Sequence, residues 1–396
     1  MNEAKDLQKE LVDIRRYLHQ NAETGFDLPK TYAYIKKKLE EYGYKPKKCG
    51  RLGLTATVGS RKGKSVLLRA DMDGLPIEEK TGLAYACKDG NMHACGHDMH
   101  ATMLLGAAKL LKCHEKELKG SIKLLFQPAE ELLEGAKDVI EGGALEDPKP
   151  TAAVMLHVLT ATSMPSGKVV VASGVSSPAA DFYHIKVQGK GCHGATPWQG
   201  VDALTVAAHI VIALQEISAR ELPATNPAIL TVGAIVSDGT DNALSDSAIL
   251  KGTLRSFDEG VRRMVKRRME QIAKSVAKGF RATAGIAYNG GCPTLLNDEK
   301  LSLFTEETLK NAFGGENVFS SKALGGDVRE NSGGSEDFAY ISHKIPSVMV
   351  GLSAGEEDKG YPYPLHHPKA AFDEAVLWRG VAIYTIIGWK FVTKNA

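Results

Sequence analysis

Three stretches in the first third of the chain determine its fold: SVLLRADMD (residues 65–73), ATMLLGAAKLLK (101–112) and SIKLLFQPAE (121–130). The first and third are short apolar runs that end in polar residues, which is typical of buried strands, whereas the second has the length and periodicity of a helix. Similar apolar runs, LTATVG (54–59) and AAVMLHV (152–158), lie on either side. Buried strands that alternate with helices predict an α/β domain whose mostly parallel sheet is flanked by helices.

The pattern changes after residue 180. From DFYHIKVQG (181–189) to GIAYNGG (285–291), strand-like and helical segments follow in the order β-α-β-β-α-β. This order predicts a small antiparallel sheet with two helices on one face, a ferredoxin-like α+β module. Because the carboxyl-terminal part alone is too short for a good independent core, we expect one large domain, formed by residues 1–178 and 291–396, with a smaller domain inserted at 179–290.

Composition excludes several classes of protein. The chain has 396 residues, 43% of them hydrophobic and 24% charged, as in ordinary globular proteins. A net charge of +2 without a long basic block argues against a nucleic-acid partner. We find no apolar stretch of about 20 residues that would span a bilayer and no apolar centre of a signal peptide at the amino terminus. We therefore expect no membrane partner, a cytoplasmic location and six reduced cysteines.

The segment NMHACGHDMHA (91–101) concentrates side chains that bind metals. Thiolate and imidazole are strong ligands for zinc-like divalent ions, and Cys95 and His97 flank a glycine that allows both donors to reach one ion. By itself the segment is equally compatible with a histidine-rich loop around a buried structural cysteine.

Two adjacent carboxylates, Glu130 and Glu131, follow the strand that begins at Ser121. Active sites of α/β sheets lie at the carboxyl ends of the strands. Since neighbouring side chains point in different directions, one carboxylate can bind metal while the other acts as a general base. The alternative is a solvated helix start in which acidic residues are favoured by the helix dipole.

Further donors lie in other segments. His157 ends an apolar strand, where a lone histidine is more often a core residue, and His367 lies in a loop, where histidines are usually inert. Together with Cys95, His97 and Glu131, however, they have the composition of a two-metal site. Asp71 and Asp73 end the strand that begins at Ser65; such carboxylates either orient a ligating histidine or cap a turn.

Six motifs occur in order along the chain: RADMDGLPIEE (69–79), MHACGHDMHA (92–101), QPAEE (127–131), GKGCHGATPWQGVDAL (189–204), SEDF (335–338) and LHHP (365–368). Together they resemble the amidohydrolase branch of the M20 metallopeptidases, which includes hippurate hydrolases, N-acyl-amino-acid deacylases and auxin-conjugate hydrolases. Several ordered motifs are far more specific than a single short pattern.

The resemblance implies a zinc-peptidase-like catalytic domain that binds two divalent ions of manganese, zinc, cobalt or nickel. The implied ligands are Cys95, His97, Glu131, His157 and His367, with Cys95 as a candidate bridge. Glu130 is the implied general base, and Asp73 orients a ligand. Asp71 occupies a position where the wider group has a histidine, so its role is the least defined. The other histidines, including His100 and His366, are assigned to structure or surface.

The resemblance also implies the reaction. It is hydrolysis of the amide bond of N-acetyl, N-benzoyl or similar N-acyl amino acids to a carboxylic acid and a free amino acid, by a metal-bound water that Glu130 activates. The inserted domain would be a lid that also forms a homodimer or higher homo-oligomer. From it, His193 would act on the substrate, while Asn242 and Arg255 would bind the substrate's carboxylate. Ser245 replaces the family's usual proline after Asn242, which leaves substrate preference open.

Three alternatives stay open. A metallopeptidase of the same fold would act on dipeptides or small peptides and would need lid residues that recognise a free amine. A non-catalytic protein could retain the fold, but it would be expected to lack the base or a ligand. A cysteine hydrolase that uses Cys95 and His97 would resist chelators and be inactivated by alkylation.

Overall fold

A computed structural model describes residues 1–320 and 334–393 of the chain. The strands within these residues are β1 (Lys47–Cys49), β2 (Gly53–Gly59), β3 (Ser65–Asp71), β4 (Ser121–Gln127), β5 (Ala152–Leu159), β6 (Val169–Val171), β7 (Gly174–Ser177), β8 (Ala179–Gln188), β9 (Ala228–Ser237), β10 (Ser247–Ser256), β11 (Thr283–Cys292), β12 (Leu295–Asn297), β13 (Val318–Ser320) and β14 (Ser347–Ser353).

The α-helices of the same residues are α1 (Asn2–Asp6), α2 (Gln8–Gln20), α3 (Pro29–Glu41), α4 (His97–Cys113), α5 (Gly135–Glu141), α6 (Ala203–Glu216), α7 (Glu259–Gly279), α8 (Glu299–Phe313), α9 (Ala339–Ser342) and α10 (Leu377–Thr393).

An eight-stranded sheet has the order β1-β2-β4-β3-β5-β14-β6-β13. Its central strands β4, β3, β5 and β14 are parallel, whereas β1, β2 and β6 pair antiparallel with their neighbours β2, β4 and β14. All seven residues of β3 are buried, which is why its sequence reads as a continuous apolar run rather than an alternating one. The predicted mixed, mostly parallel sheet flanked by helices is confirmed.

A second sheet is antiparallel, with the order β11-β8-β10-β9. Along β8, Tyr183, Ile185 and Val187 point into a hydrophobic core that also contains side chains of α6 and α7. Phe182, which precedes them and points to the opposite face, is 40% exposed, so the helices cover one face of this sheet. The strand order and the β-α-β-β-α-β sequence of elements are those of a ferredoxin-like module.

The described chain divides into two units. The first contains Met1–Ser176 with residues 296–320 and 337–393, and the second contains Ser177–Leu295 with residues 334–336. The second unit extends beyond the predicted boundary at residue 290 because Gly291 and Cys292 still pair with β8. Pairing continues there across a bulge, which an alternating sequence pattern does not reveal.

Two helical segments, Ala203–Glu221 and Glu374–Thr393, are long and apolar enough to cross a membrane by length and composition alone. We expected no such stretch, and these two segments meet only this criterion of length and composition. Val206 and Ile210 of the first segment and Tyr384 and Ile387 of the second are nevertheless buried in hydrophobic cores. Helices of a protein core pass the same test of length and composition.

Candidate metal centre and catalytic site

The two candidate carboxylates lie on a tight loop directly after β4. Ala129 has a φ of 55°, a conformation that is rare for residues with a side chain. Its carbonyl accepts hydrogen bonds from the N–H groups of Glu134 (3.4 Å) and Gly135 (3.1 Å). A Cβ on Gly135 would lie 1.7 Å from the carbonyl oxygen of Pro128, so the loop closes only around a glycine. Such backbone strain is typical of functional sites.

Asp73 connects this loop to the end of β3. One of its carboxylate oxygens accepts a hydrogen bond from the N–H of Glu130, and the other accepts one from the N–H of Glu131, both at 3.2 Å. Parallel pairing of β3 with β4 brings these ends to the same edge of the sheet. Asp73 therefore holds the backbone of both carboxylate residues.

Cys95 and His97 enter the same site from the start of α4. Gly96 between them has a φ of 81°, and a Cβ there would lie 2.5 Å from a methyl group of Val158. A glycine is thus required for the loop to approach β5 so closely. Cys95 is 7% exposed and His97 is fully buried.

The predicted residues form overlapping clusters with donor atoms within 4.8 Å of one another. Three of these clusters are Cys95 with His97 and His157, Cys95 with Glu131 and the unpredicted His366, and His97 with Glu130 and Glu131; a further one joins His97 to Asp71 and His100. The Sγ of Cys95 lies 3.6 Å from Nε2 of His157, and Nε2 of His97 lies 3.9 Å from Oε1 of Glu131. Four separate segments therefore converge on one site.

Backbone groups determine which ring nitrogen of each histidine carries the proton. Nδ1 of His97 lies 2.9 Å from the carbonyl oxygen of Asp73, and Nδ1 of His157 lies 2.7 Å from that of Val158. Because a carbonyl only accepts, both Nδ1 atoms must donate. Nε2 of each ring is thereby assigned as the atom available to a metal, an arrangement common among ligating histidines.

His97 Nε2 also gives the strongest indication of a cation site. It is buried and makes no hydrogen bond to any residue that the structure describes. Asp71, Glu130 and Glu131 each place a carboxylate oxygen 3.9 Å from it. An unpaired buried nitrogen costs free energy, and oxygen, sulfur and imidazole donors around it suit a divalent transition metal. The residues present therefore fit a metal site.

The electrostatics are consistent with this interpretation. Burial alone would raise the pKa of Cys95, but the charges of His97 and His157 and hydrogen bonds to His157 and His366 lower it to about 6. Conversely, burial would lower the pKa of His97, while the charges of Asp71 and Cys95 raise it well above its usual value. Protons on these histidines occupy positions that a metal ion would take on binding.

The structure differs from the prediction at the pair of adjacent histidines. His366, which was assigned to the surface, has a φ of 65° and lies with Cys95 and Glu131. Hydrogen bonds to Cys95 and Glu131 raise its pKa to about 10. The predicted ligand His367 instead stacks on Tyr363 with ring centroids 4.5 Å apart, and its Nδ1 accepts the N–H of Lys369. In the described part of the chain, His367 joins none of the donor clusters.

His100 was also assigned to structure, and the structure gives it a specific partner. Its Nδ1 donates to Asp71 (2.6 Å), while its Nε2 accepts the backbone N–H of Val158 (2.9 Å). It is therefore neutral, and burial lowers its pKa to about 4. Asp71 contacts Arg69 and His100. Burial would raise its pKa, but the charges of His97 and Arg69 and the hydrogen bond from His100 lower it.

The three residues predicted to bind substrate from the inserted domain lie in the second unit. The N–H of Gly194 donates to the carbonyl of Asn242 (2.7 Å). Asn242 and His193 therefore lie on two loops that pair with each other. His193 is exposed, and its Nδ1 accepts the N–H of Ala195 (3.0 Å), which makes Nε2 the donor nitrogen. Arg255 lies on β10 and donates to Ser335.

Sequence reasoning assigned no role to Arg69, Gln127 or Asp337, although each lies within a quoted motif. The structure buries all three completely. Arg69 was detectable in principle, because a charged residue inside an apolar strand requires buried partners of opposite charge.

A sequence model of Peptidase family M20/M25/M40 matches residues 67–387. N-acetyl-L-cysteine deacetylase of Bacillus subtilis is 38% identical over 94% of this chain and 85% of its own. Thermostable carboxypeptidase 1 of Saccharolobus solfataricus is 34% identical over 99% of this chain and 98% of its own. The YXEP protein of Bacillus subtilis, described as a dinuclear metal binding peptidase from the M20 family, has a TM-score of 0.81 at 28% identity, covering 99% of both chains.

Proposed function

The chain belongs to peptidase family M20/M25/M40 and is a metal-dependent hydrolase, and from this premise we propose that it hydrolyses N-acyl amino acids. The amide bond is cleaved to give a carboxylic acid and a free amino acid. The relative named N-acetyl-L-cysteine deacetylase, at 38% identity, supports an N-acyl substrate.

One observation carries the proposal: adjacent carboxylates on one strained loop have different neighbours. Glu131 lies with Cys95 and His366, two further metal donors. Glu130 shares a donor cluster with His97 and Glu131 but, among the described residues, not with Cys95 or His366, and its Oε1 accepts the backbone N–H of Asp337 at 3.4 Å. This is the separation of roles that metal-assisted hydrolysis requires, with one carboxylate as ligand and the other as base.

The cofactor is two divalent ions. Their proposed ligands, with His366 in place of His367, are Cys95, His97, Glu131, His157 and His366. When bound, such ions polarise an amide carbonyl and lower the pKa of water. A thiolate among the donors favours softer ions such as zinc over magnesium or calcium, and manganese, cobalt and nickel are candidates through the family resemblance.

The chain's own residues then move protons and hold the substrate. Glu130 accepts the proton of the attacking water and transfers it to the nitrogen of the leaving amine, since one group can act as base and then as acid. His193, with an N–H at Nε2, donates to the oxygen of the amide carbonyl as negative charge develops there. Arg255 binds the planar carboxylate of the amino acid, and Asn242 donates to it.

The two units would divide these roles. We propose that the first is the catalytic domain and the second is a lid that also forms a homodimer or higher homo-oligomer. In the second unit, β9 is an edge strand with Ile229, Ile235 and Val236 exposed, and Ile212 of α6 is 70% exposed. Exposed apolar side chains beside a strand edge favour self-association. We also propose a cytoplasmic location, where thiols such as the free cysteines of this chain stay reduced.

A peptidase acting on dipeptides is the second candidate, favoured by the 34% identity to Thermostable carboxypeptidase 1. The two functions differ at the α-nitrogen of the residue before the cleaved bond. We propose a panel of N-acetyl, N-benzoyl and longer N-acyl amino acids, compared with dipeptides that carry a free amine. Each substrate is assayed with protein loaded with zinc, manganese, cobalt or nickel, and with chelated protein.

The expected result is turnover of N-acyl amino acids that chelation abolishes and divalent ion restores. Higher kcat/KM for dipeptides would favour the peptidase. Activity that survives complete chelation but not thiol alkylation would identify a cysteine hydrolase and refute the proposal. No turnover of any substrate by metal-loaded protein would contradict both candidates.

A further inference from the structure

A buried arginine, Arg69, lies near the carboxyl end of β3, beside the candidate site. Arg69 is fully buried in β3 and donates hydrogen bonds in three directions. Nη1 donates to Asp71 (2.7 Å), Nη2 to Asp337 (2.9 Å) and Nε to Gln127 (2.9 Å). The planar guanidinium thereby fixes three acceptors relative to one another.

The carboxylate of Asp337 accepts hydrogen bonds from several residues. Besides Arg69, its carboxylate accepts both contacts of Gln127 Nε2 (2.8 and 3.0 Å) and the N–H of Ala136 (2.7 Å). The backbone N–H of the same residue points toward Oε1 of Glu130 at 3.4 Å. A residue held by four hydrogen-bond contacts at its side chain thus presents a fixed donor to Glu130.

The contact to Glu130 selects an orientation of its carboxylate. With Oε1 near the N–H of Asp337, Oε2 is the oxygen that faces His97 Nε2, at 3.9 Å. This nitrogen is the unpaired buried donor at the proposed metal site. An oxygen aimed there is the one that can accept a proton from water held at that site.

The same arginine also contacts the opposite side of the site. Asp71, its partner, accepts from His100, which in turn accepts the N–H of Val158 next to the proposed ligand His157. Arg69 therefore connects the loop that holds Glu130 with the strand end that holds His157. Stability alone does not require this arrangement, because buried ion pairs can often be replaced by apolar residues without loss of stability.

We propose, on the premise that Glu130 is the general base, that Asp337 is a positioning residue that orients the Glu130 carboxylate through its backbone N–H, with Arg69 and Gln127 holding Asp337 in place. Asp337 does not touch the reacting atoms. It acts through Glu130, so its effect must disappear when Glu130 can no longer act as a base.

The test is a double-mutant cycle with Asp337→Asn and Glu130→Gln. Asparagine has the shape of aspartate but replaces one carboxylate oxygen with an NH₂ group. Because Arg69 donates to one oxygen and Ala136 to the other, while Gln127 contacts both, the NH₂ must face a donor in either orientation, which loosens the side chain. We expect Asp337→Asn to lower kcat by about 10- to 100-fold, the size of effect of a small misplacement of a reacting group. Its KM and metal content should equal those of the wild type. In the Glu130→Gln background, the same substitution should lower kcat by less than about 2-fold, because a positioning residue and its target are not additive.

A matched control separates positioning from loss of stability. The control is Lys123→Met, which, like Asp337→Asn, removes a buried charge. Lys123 lies on β4 and donates to the carbonyls of Ala144, Glu146 and Pro148. The substitution should lower the melting temperature and leave kcat unchanged. Should Asp337→Asn fail to fold, Gln127→Met removes the two Gln127 contacts to Asp337 while Arg69 stays, and it should give a smaller kcat loss that also disappears in the Glu130→Gln background.

Several outcomes would overturn the inference. They are wild-type kcat in Asp337→Asn, loss of its metal, or an equal kcat loss with and without Glu130. A Glu130→Gln protein that turns over at the wild-type rate would refute the base assignment itself, and the positioning role with it. If Glu130→Gln abolishes turnover by the expected amount but Asp337→Asn lowers kcat by the same factor in both backgrounds, the base assignment holds and only the positioning role is refuted.

Discussion

Nε2 of His366 lies 3.4 Å from Oε1 of Glu131. Both residues lie with Cys95 in one donor cluster, whereas the neighbouring His367 stacks on Tyr363. The two histidines are adjacent in sequence and have the same chemistry, so they form a natural pair of variants for testing the ligand set.

His366→Ala should weaken metal binding, whereas His367→Ala should not. Removal of a residue that only supports a ligand already lowers metal affinity by about 10- to 100-fold, and loss of a ligand should do at least as much. Metal content after dialysis and the affinity from competition with a chromophoric chelator provide the measurement. Equal affinity in both variants, or loss in His367→Ala only, would contradict the assignment of His366.

His193→Ala should lower kcat without loss of metal. His193 Nδ1 accepts from Ala195, so its Nε2–H is available as a donor. Removing one donor to a developing oxyanion costs about 10²- to 10³-fold in kcat. His184→Ala, a histidine of the same unit on β8, is the control and should keep wild-type kcat. Unchanged turnover in His193→Ala would show that the substrate's carbonyl does not depend on this residue.

Asp181→Asn should destabilise the second unit in a pH-dependent way. Arg262 donates two hydrogen bonds to Asp181 (2.7 and 2.9 Å) and Lys266 one (2.8 Å). Burial alone would raise the pKa of Asp181, but these hydrogen bonds and charges lower it. The free energy of unfolding should fall by about 1.5–3 kcal/mol at neutral pH, the contribution of hydrogen bonds to a charged group.

The sign of the pH dependence follows from the lowered pKa. Stabilisation by Asp181 is fully present above the pKa of the unfolded chain, about 3.9, and is lost as pH falls through the lower pKa of the folded state. Urea denaturation should therefore give a constant difference between wild type and Asp181→Asn from pH 8 to about 5, and a narrowing one below pH 4. A difference that grows on acidification would be inconsistent with the lowered pKa.

Ile212→Glu should dissociate the oligomer that we propose for the second unit. Ile212 is 70% exposed on α6, and a charge in an apolar interface is costly. Leu303 on α8 of the first unit is 54% exposed, and Leu303→Glu is the matched control. Sedimentation velocity should show a smaller species for Ile212→Glu alone. A monomeric wild-type protein, or an Ile212→Glu variant of unchanged size, would argue against this interface.

Sequence periodicity was sufficient to predict the fold but not to predict where each strand ends. The fully buried β3 and the alternating β8 were recognisable because burial on one or two faces leaves a repeat in the sequence. The end of the second unit was not, because Gly291 and Cys292 pair with β8 beyond a bulge. Glycines carry no periodicity, so the pattern ends before the strand does.

The sequence predicted most of the residues that supply metal donors, but not which side chain of an adjacent pair points into the site. Cys95, His97, Glu131 and His157 were expected as ligands, and the structure places them together. The choice between His366 and His367 depends on a φ of 65° at His366, which the sequence of a loop does not determine. Hydrogen-bond partners from distant segments, such as those of Arg69 and Asp337, are likewise set only by the tertiary fold.

The most direct test compares Glu130→Gln with Glu131→Gln, measuring both bound metal and kcat on an N-acetyl amino acid. If Glu130 is the base and Glu131 a ligand, Glu130→Gln keeps two ions per chain and loses about 10²- to 10⁴-fold in kcat, the usual contribution of a general base. Glu131→Gln instead loses metal together with activity. Turnover close to wild type in metal-loaded Glu130→Gln would contradict the account.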